Sequence, residues 1–141
     1  MRVAISGGFD PLHSGHTRYI DGALSLGKEL IVILTGDAQL VVKKGYFSLS
    51  YDERAEILEW GLNKQDKPFL IVPNVDGDIT SKESLETYQP DIFAKGGSDW
   101  DEDNLPEADV CKRLGIRVIF GVGGFRKLNS SRWIVERRKN V

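Results

Sequence analysis

The sequence predicts an α/β protein, a Rossmann-like parallel five-stranded sheet with helices on both faces, in a single domain over residues 1–141. Three observations predict it. Short apolar runs of buried-strand type recur at residues 3–6, 30–35, 69–72, 91–94 and 117–120. Segments with helical periodicity separate most of them, and that alternation implies a parallel sheet covered on both sides. A glycine turn and two histidines follow the first run directly, at the edge where open parallel sheets hold their ligands.

The elements follow in order. After the first strand, His16, Tyr19, Ile20, Ala23 and Leu24 fall at i, i+3, i+4, i+7 and i+8, one face of a helix that Gly27 ends. Ser50-x-x-Glu53 is a capping box opening a helix through about Gly61. Thr80-x-x-Glu83 opens a short helix that Pro90 stops, and Asn104-x-x-Glu107 opens another closed by Gly115. A last helix is expected from near Ser130 into Arg137-Arg138-Lys139. No Gly-x-Gly-x-x-Gly is present, which removes most support for a dinucleotide redox enzyme.

Bulk properties narrow the class. A chain of 141 residues suits one core. Its net charge of -2 and pI of about 5.7 give no global field for nucleic acid or anionic membrane. One cysteine excludes an internal disulfide and suits a reducing compartment. Every apolar run is too short to span a membrane. A cytoplasmic protein is expected, with a homodimer as its assembly.

The chemistry starts at Gly7-Gly8-Phe9-Asp10-Pro11-Leu12-His13-Ser14-Gly15-His16. Turn N–H groups and the positive end of the following helix make an anion site. His13 and His16, one turn apart, overhang it. Each imidazole can donate a hydrogen bond to phosphate and gain charge as negative charge builds up. A glycine turn with packed histidines is the bland alternative, but these are the only two histidines and both lie at one strand mouth. Zinc would need a third ligand, and the only cysteine, Cys111, belongs to a distant amphipathic segment. Gly7, Gly8, Phe9 and Asp10 are therefore expected around bound phosphate.

This segment resembles the HxGH signature of the cytidylyltransferase-like nucleotidyltransferases. That family includes glycerol-3-phosphate cytidylyltransferases, heptose-phosphate adenylyltransferases and phosphopantetheine adenylyltransferase. Class I aminoacyl-tRNA synthetases carry a related signature, but the preceding Gly-Phe-Asp-Pro makes the likeness specific. Lys43-Lys44-Gly45-Tyr46 and Tyr51-Asp52-Glu53-Arg54 are similar to a Lys-Lys-x-Tyr stretch and Tyr-x-x-Arg helix start of the glycerol-phosphate enzymes. The resemblance implies that Lys43, with Lys44 as the alternative, contacts the triphosphate and the transferred phosphoryl group. It places a substrate-binding arginine at Arg54, whose alternative is a surface ion pair.

Further on, Ala94-Lys95-Gly96-Gly97-Ser98-Asp99-Trp100 is similar to the Lys-Gly-Gly-Asp and Gly-Asp-Asp-Trp segments of the adenylyl and cytidylyl branches. It implies Gly97, Asp99 and Trp100 as nucleotide ligands: Asp99 accepts from a base or ribose, and Trp100 offers a stacking face. The bland alternative is a tight turn with a half-buried tryptophan. Leu128-Asn129-Ser130-Ser131-Arg132 is an altered version of the family's Ser/Thr-rich phosphate motif. It implies Asn129, Ser130, Ser131 and Arg132 on the β and γ phosphates. Gly124 stands where the glycerol-phosphate enzymes carry an arginine, so Arg126 or Lys127 is expected to supply that charge.

The implied reaction is attack by a phosphate monoester on the α-phosphate of CTP or ATP, releasing pyrophosphate, with Mg2+ on the phosphates. A phosphate oxygen is already an anionic nucleophile near neutral pH, so positioning and charge stabilisation are what the protein must supply. Asp10 either approaches the Mg2+ or holds the turn. One rival is a non-catalytic nucleotide-binding or sensor domain. A nucleic-acid site through Arg132, Arg137, Arg138 and Lys139 is a second, disfavoured by the acidity elsewhere.

Overall fold

A computed structural model describes residues 1–124 of the chain. The strands are β1 (Arg2–Gly7), β2 (Glu29–Leu34), β3 (Phe69–Pro73), β4 (Ile92–Gly96) and β5 (Arg117–Val122). The helices are α1 (Ser14–Leu24), α2 (Asp37–Lys44), α3 (Tyr51–Leu62), α4 (Lys82–Tyr88) and α5 (Ala108–Leu114). All strands are parallel, in the order β3-β2-β1-β4-β5. The strand order reverses at β1, so the crevice between the carboxyl ends of β1 and β4 is where such a sheet binds ligands.

Strand alternation sorts the core into two layers. Val3, Ile5, Leu30, Val32, Leu34, Ile92 and Ala94 face Ile20, Ala23 and Leu24 of α1 and Leu58 and Leu62 of α3. Ala4, Ile31, Ile33 and Phe93 face the other way, against Leu85 of α4 and Cys111 of α5. Helices on both faces bury both strand parities, which is why these strands read as unbroken apolar runs.

The β1–β2 ladder runs from Arg2↔Glu29 to Gly7↔Leu34, whereas β1 and β4 pair only at Val3↔Ile92 and Ala4↔Phe93. Above that point the two central strands part. The Tyr19 hydroxyl, from α1, spans the gap by donating to the Ala94 carbonyl.

Local signals hold at some ends and fail at others. The Ser50 hydroxyl caps α3, accepting from the Glu53 N–H at 3.3 Å, and Gly115 closes α5 with φ 71°. Helix α1 stops at Leu24, and Gly27 instead lets the chain pass the Met1 carbonyl, which a Cβ would strike. Thr80 does not cap α4. The Asp76 carboxylate does, accepting from Glu83 N at 2.8 Å and Ser84 N at 2.9 Å. Asn104 does not cap α5 either; it stitches the loop after β4, accepting from Asp101 N and donating to Asp99 O, both short. The lysine pair ends helix α2, an element the apolar periodicity does not mark, and Gly45 closes it at φ 87°. The expected last helix, with Arg126, Lys127, Asn129, Ser130, Ser131 and Arg132, lies outside the described residues.

Candidate active site

At the fork between β1 and β4 is a cavity of about 230 Å³. Gly7, Phe9, His13 and His16 form one wall, and Lys95 to Asp99 form another. Arg18 and Tyr19 of α1 and Val122 to Gly124 complete it. The expected His turn and Asp99 turn, far apart in sequence, thus line one cavity.

His13 is the N-cap of α1. Its Nδ1 accepts from Gly15 N at 3.1 Å, and the His16 Nδ1 accepts from His13 N at 3.4 Å. The two rings stack at 3.8 Å between centroids, 20° from parallel. With each Nδ1 accepting a backbone N–H, a neutral ring carries its proton on Nε2, the far side of the imidazole. Phe9 sits edge-on to His16 at 4.9 Å, buried, in the left-handed region at φ 49°. A bulky residue held there is strained, and the buried ring fixes it behind the histidine.

Burial, then the neighbouring His13 and Lys44, lower the His16 pKa to about 3. In the free protein His16 is therefore a neutral donor, a correction to the expectation of a ring poised to charge near pH 7. The depressed pKa also sets a stability trend. Between about pH 3 and 6.5 the unfolded chain binds a proton at this residue that the folded one does not. This contribution is complete above pH 6.5 and is lost as pH falls toward 3. His16→Asn is expected to flatten the fall of Tm over that window; an identical Tm–pH curve would refute the assignment.

Asp10 is turned away from the cavity. It is buried, with Oδ2 accepting from Ser48 N at 2.6 Å and Oδ1 from Leu49 N at 2.7 Å. Of the two roles open to it, the geometry is that of a group holding the turn: it clasps the α2–α3 loop to the mouth of β1. Lys44 joins this clasp, donating to the Asp10 carbonyl at 3.1 Å with its ammonium 3.8 Å from Oδ2. Lys43 is exposed on the last turn of α2.

Arg54 is not a surface ion pair, because it is 1 % exposed. Its Nε donates to Leu49 O, Nη1 to Gly8 O and Thr35 O, and Nη2 to Asp37 Oδ1 at 2.7 Å. Every guanidinium nitrogen is engaged within the protein, so the expected substrate ligand is the brace of the glycine turn. Gly8 itself lies against Leu40, which a Cβ would meet at 2.7 Å. Gly97 takes φ 72° at the cavity wall. Trp100 is partly exposed, and the Lys95 ammonium lies 4.9 Å from its ring centroid.

Among the lining residues absent from the expected site are Lys95, Arg18 and Tyr19. Lys95 had a visible signal, a cation at the carboxyl end of a buried strand. Tyr19 read only as core, since its place in the apolar stripe conceals the hydroxyl that crosses the fork. Among the described residues, no group of three or more His, Cys, Asp or Glu could hold a metal, and no helix is long and apolar enough to cross a membrane.

The cytidylyltransferase-like family pattern matches residues 4–118. The FAD synthase of Thermococcus sibiricus is 35% identical over 84% of this chain and 78% of its own, and that of Pyrococcus abyssi is 33% identical over 84% and 76%. The bifunctional protein HldE of Magnetococcus marinus is 34% identical over 82% of this chain, which spans only 23% of that protein's length. A lipopolysaccharide core biosynthesis protein from Thermoplasma volcanium shares the fold, with a TM-score of 0.66 at 23% identity over 92% of this chain and 98% of its own. With its stacked histidines at the sheet's switch point and a family match over most of its length, the chain belongs to the cytidylyltransferase-like nucleotidyltransferases.

Proposed function

We propose that this protein transfers the nucleotidyl group of ATP or CTP to a small phosphate monoester, a polyol, sugar or amino-alcohol phosphate or a related ester, releasing pyrophosphate. One observation carries the reading. Two histidines with both Nδ1 atoms engaged stand at a helix N-terminus in the switch-point cavity. A neutral imidazole held at Nδ1 carries its N–H donor on Nε2, the group a phosphate oxygen would accept from, and the helix end adds its partial positive charge. A transferring phosphoryl group, with charge spread over its oxygens, is what such fixed donors stabilise. The likeness to FAD synthases supports ATP as donor and a phosphate monoester as acceptor, since FAD is an adenylate joined to flavin mononucleotide. The family name keeps CTP in the proposal.

In this reading His13 and His16 act on the transferred phosphoryl group, and Gly7, Phe9, Gly97 and Asp99 receive the nucleotide. Trp100, Asn129, Ser130, Ser131 and Arg132 complete the proposed nucleotide set, and Arg126 its charge. Asp99 is the one acidic side chain among the described residues of the cavity wall, which suits Mg2+ arriving on the triphosphate with few protein ligands. When bound, the metal would neutralise charge on the phosphates. A cytoplasmic homodimer remains the proposed setting.

The test is a pyrophosphate-release assay crossing the four nucleoside triphosphates with a panel of phosphate monoesters, flavin mononucleotide included. Saturable turnover with one pair is expected; triphosphate binding with no turnover on any acceptor would leave a binding domain.

The lysine pair gives a second expectation. We take Lys44, tied to the Asp10 turn and electrostatically felt by His16, as the lysine that acts with the histidines, and Lys43, exposed at the end of α2, as the lesser contributor. Lys44→Ala is expected to lower kcat by about 100-fold and Lys43→Ala by no more than a few-fold. A larger loss at Lys43 would restore the assignment that the resemblance implies.

A further inference from the structure

Glu107 presents an unusual arrangement. It stands at the start of α5, 5 % exposed, with Oε1 accepting from Ser81 N at 2.9 Å. Its Oε2 is buried with no hydrogen-bond partner among the described residues. A carboxylate taken from water with half its acceptor capacity unmet is costly, and such a group needs a compensating reason.

Lys95 supplies one. It sits at the carboxyl end of β4, half-buried, and forms part of the cavity wall with His13, His16 and Arg18. Its ammonium lies over two aromatic faces, 4.9 Å from the Trp100 centroid and 5.5 Å from that of Phe93. None of the ion pairs among the described residues includes it. An aromatic face attracts a cation without a direct ion pair, which leaves the N–H donors for a ligand.

We propose that Lys95 binds a phosphate of the nucleoside triphosphate, and that Glu107 is the positioning residue whose buried charge keeps the Lys95 ammonium cationic at the cavity wall. The proposal rests on the nucleotidyl-transfer reading above. The electrostatics agree. Burial lowers the Lys95 pKa, the Glu107 charge opposes that fall, and Lys43 on α2 adds to it. From α1, Arg18 and His16 line the same cavity, and Asp99 stands on the loop that follows β4. Without Glu107, a half-buried lysine facing these cations would shed its proton more readily.

The test uses calorimetric binding of ATP, CTP and inorganic pyrophosphate, with the Lys95 side chain followed by NMR against pH. Lys95→Met is expected to weaken triphosphate and pyrophosphate binding by about 10- to 100-fold, with Lys95→Arg within a few-fold of wild type. Glu107→Gln retains an acceptor for Ser81 N and removes the charge. It is expected to lower the Lys95 pKa, moving the alkaline loss of pyrophosphate binding to lower pH by the same interval. Glu107→Asp, which draws the carboxylate back by one methylene, serves if the Gln variant does not fold, with a smaller downward shift expected.

Wild-type binding in Lys95→Met, or a change confined to the acceptor KM, would overturn the Lys95 assignment. An unchanged Lys95 titration in the Glu107 variant would overturn the positioning role. Lys95-dependent pyrophosphate binding by a wild-type protein that transfers to no acceptor would sink the proposed reaction and leave this inference standing.

Discussion

His16→Ala is expected to leave a folded protein whose nucleotidyl transfer is slower by about 100- to 1,000-fold. Its imidazole is fixed from three directions: the His13 N–H on Nδ1, the stacked His13 ring and the Phe9 edge. That framework orients the proton-bearing Nε2 before any substrate arrives, and reorganisation at the moment of reaction is what such fixed donors avoid. A neutral donor acting on developing charge contributes more to the transition state than to the bound triphosphate. The loss should therefore appear in kcat, with the triphosphate KM within a few-fold. Turnover within a few-fold of wild type would remove His16 from the mechanism. A loss confined to KM would make it a ground-state ligand.

The largest loss of stability is expected at Arg54. Arg54→Met keeps a side chain of similar length and deletes the donors to Leu49 O, Gly8 O and Thr35 O and the Asp37 ion pair. Three carbonyls lose a donor beneath the glycine turn, where water cannot simply replace it. Breaking a buried charged network in this way costs about 3–5 kcal/mol. Natural domains of this size are stable by about 5–15 kcal/mol, so the variant should unfold at much lower urea than wild type. Arg54→Lys should recover little, because an ammonium cannot reproduce the planar fork. A change in ΔG below about 1 kcal/mol would show that the turn holds itself.

Much of the fold was legible because a two-sided sheet writes itself into the sequence as short apolar runs. All five strands lie where those runs fall, within a few residues at each end. The anion turn was legible for a related reason, since Gly7, Gly8 and the histidines sit together in the chain. What escaped reading depends on partners far away in sequence. Helix α2 buries only Leu40, and its Val42 is left exposed, so no apolar stripe announces it. Arg54 and Asp10 look like surface charges until their partners, 46 and 38 residues away, are brought to them. The Thr80 and Asn104 boxes failed for the same reason. Asp76, folding back from the end of β3, satisfied the α4 N–H groups first.

The partial pairing of β1 with β4 carries a last consequence. Ladder bonds give out after Ala4↔Phe93, and a helix side chain, Tyr19, props the strands apart where backbone would otherwise join them. In most parallel sheets the middle strands are the last to open to solvent. Here the middle of the sheet contains its own frayed seam. Amides at the upper ends of β1 and β4 should exchange hydrogen with water sooner than those of β2, although both lie at the centre of the molecule. A molecule lodged in that seam would act as a missing rung, slowing exchange in both strands together.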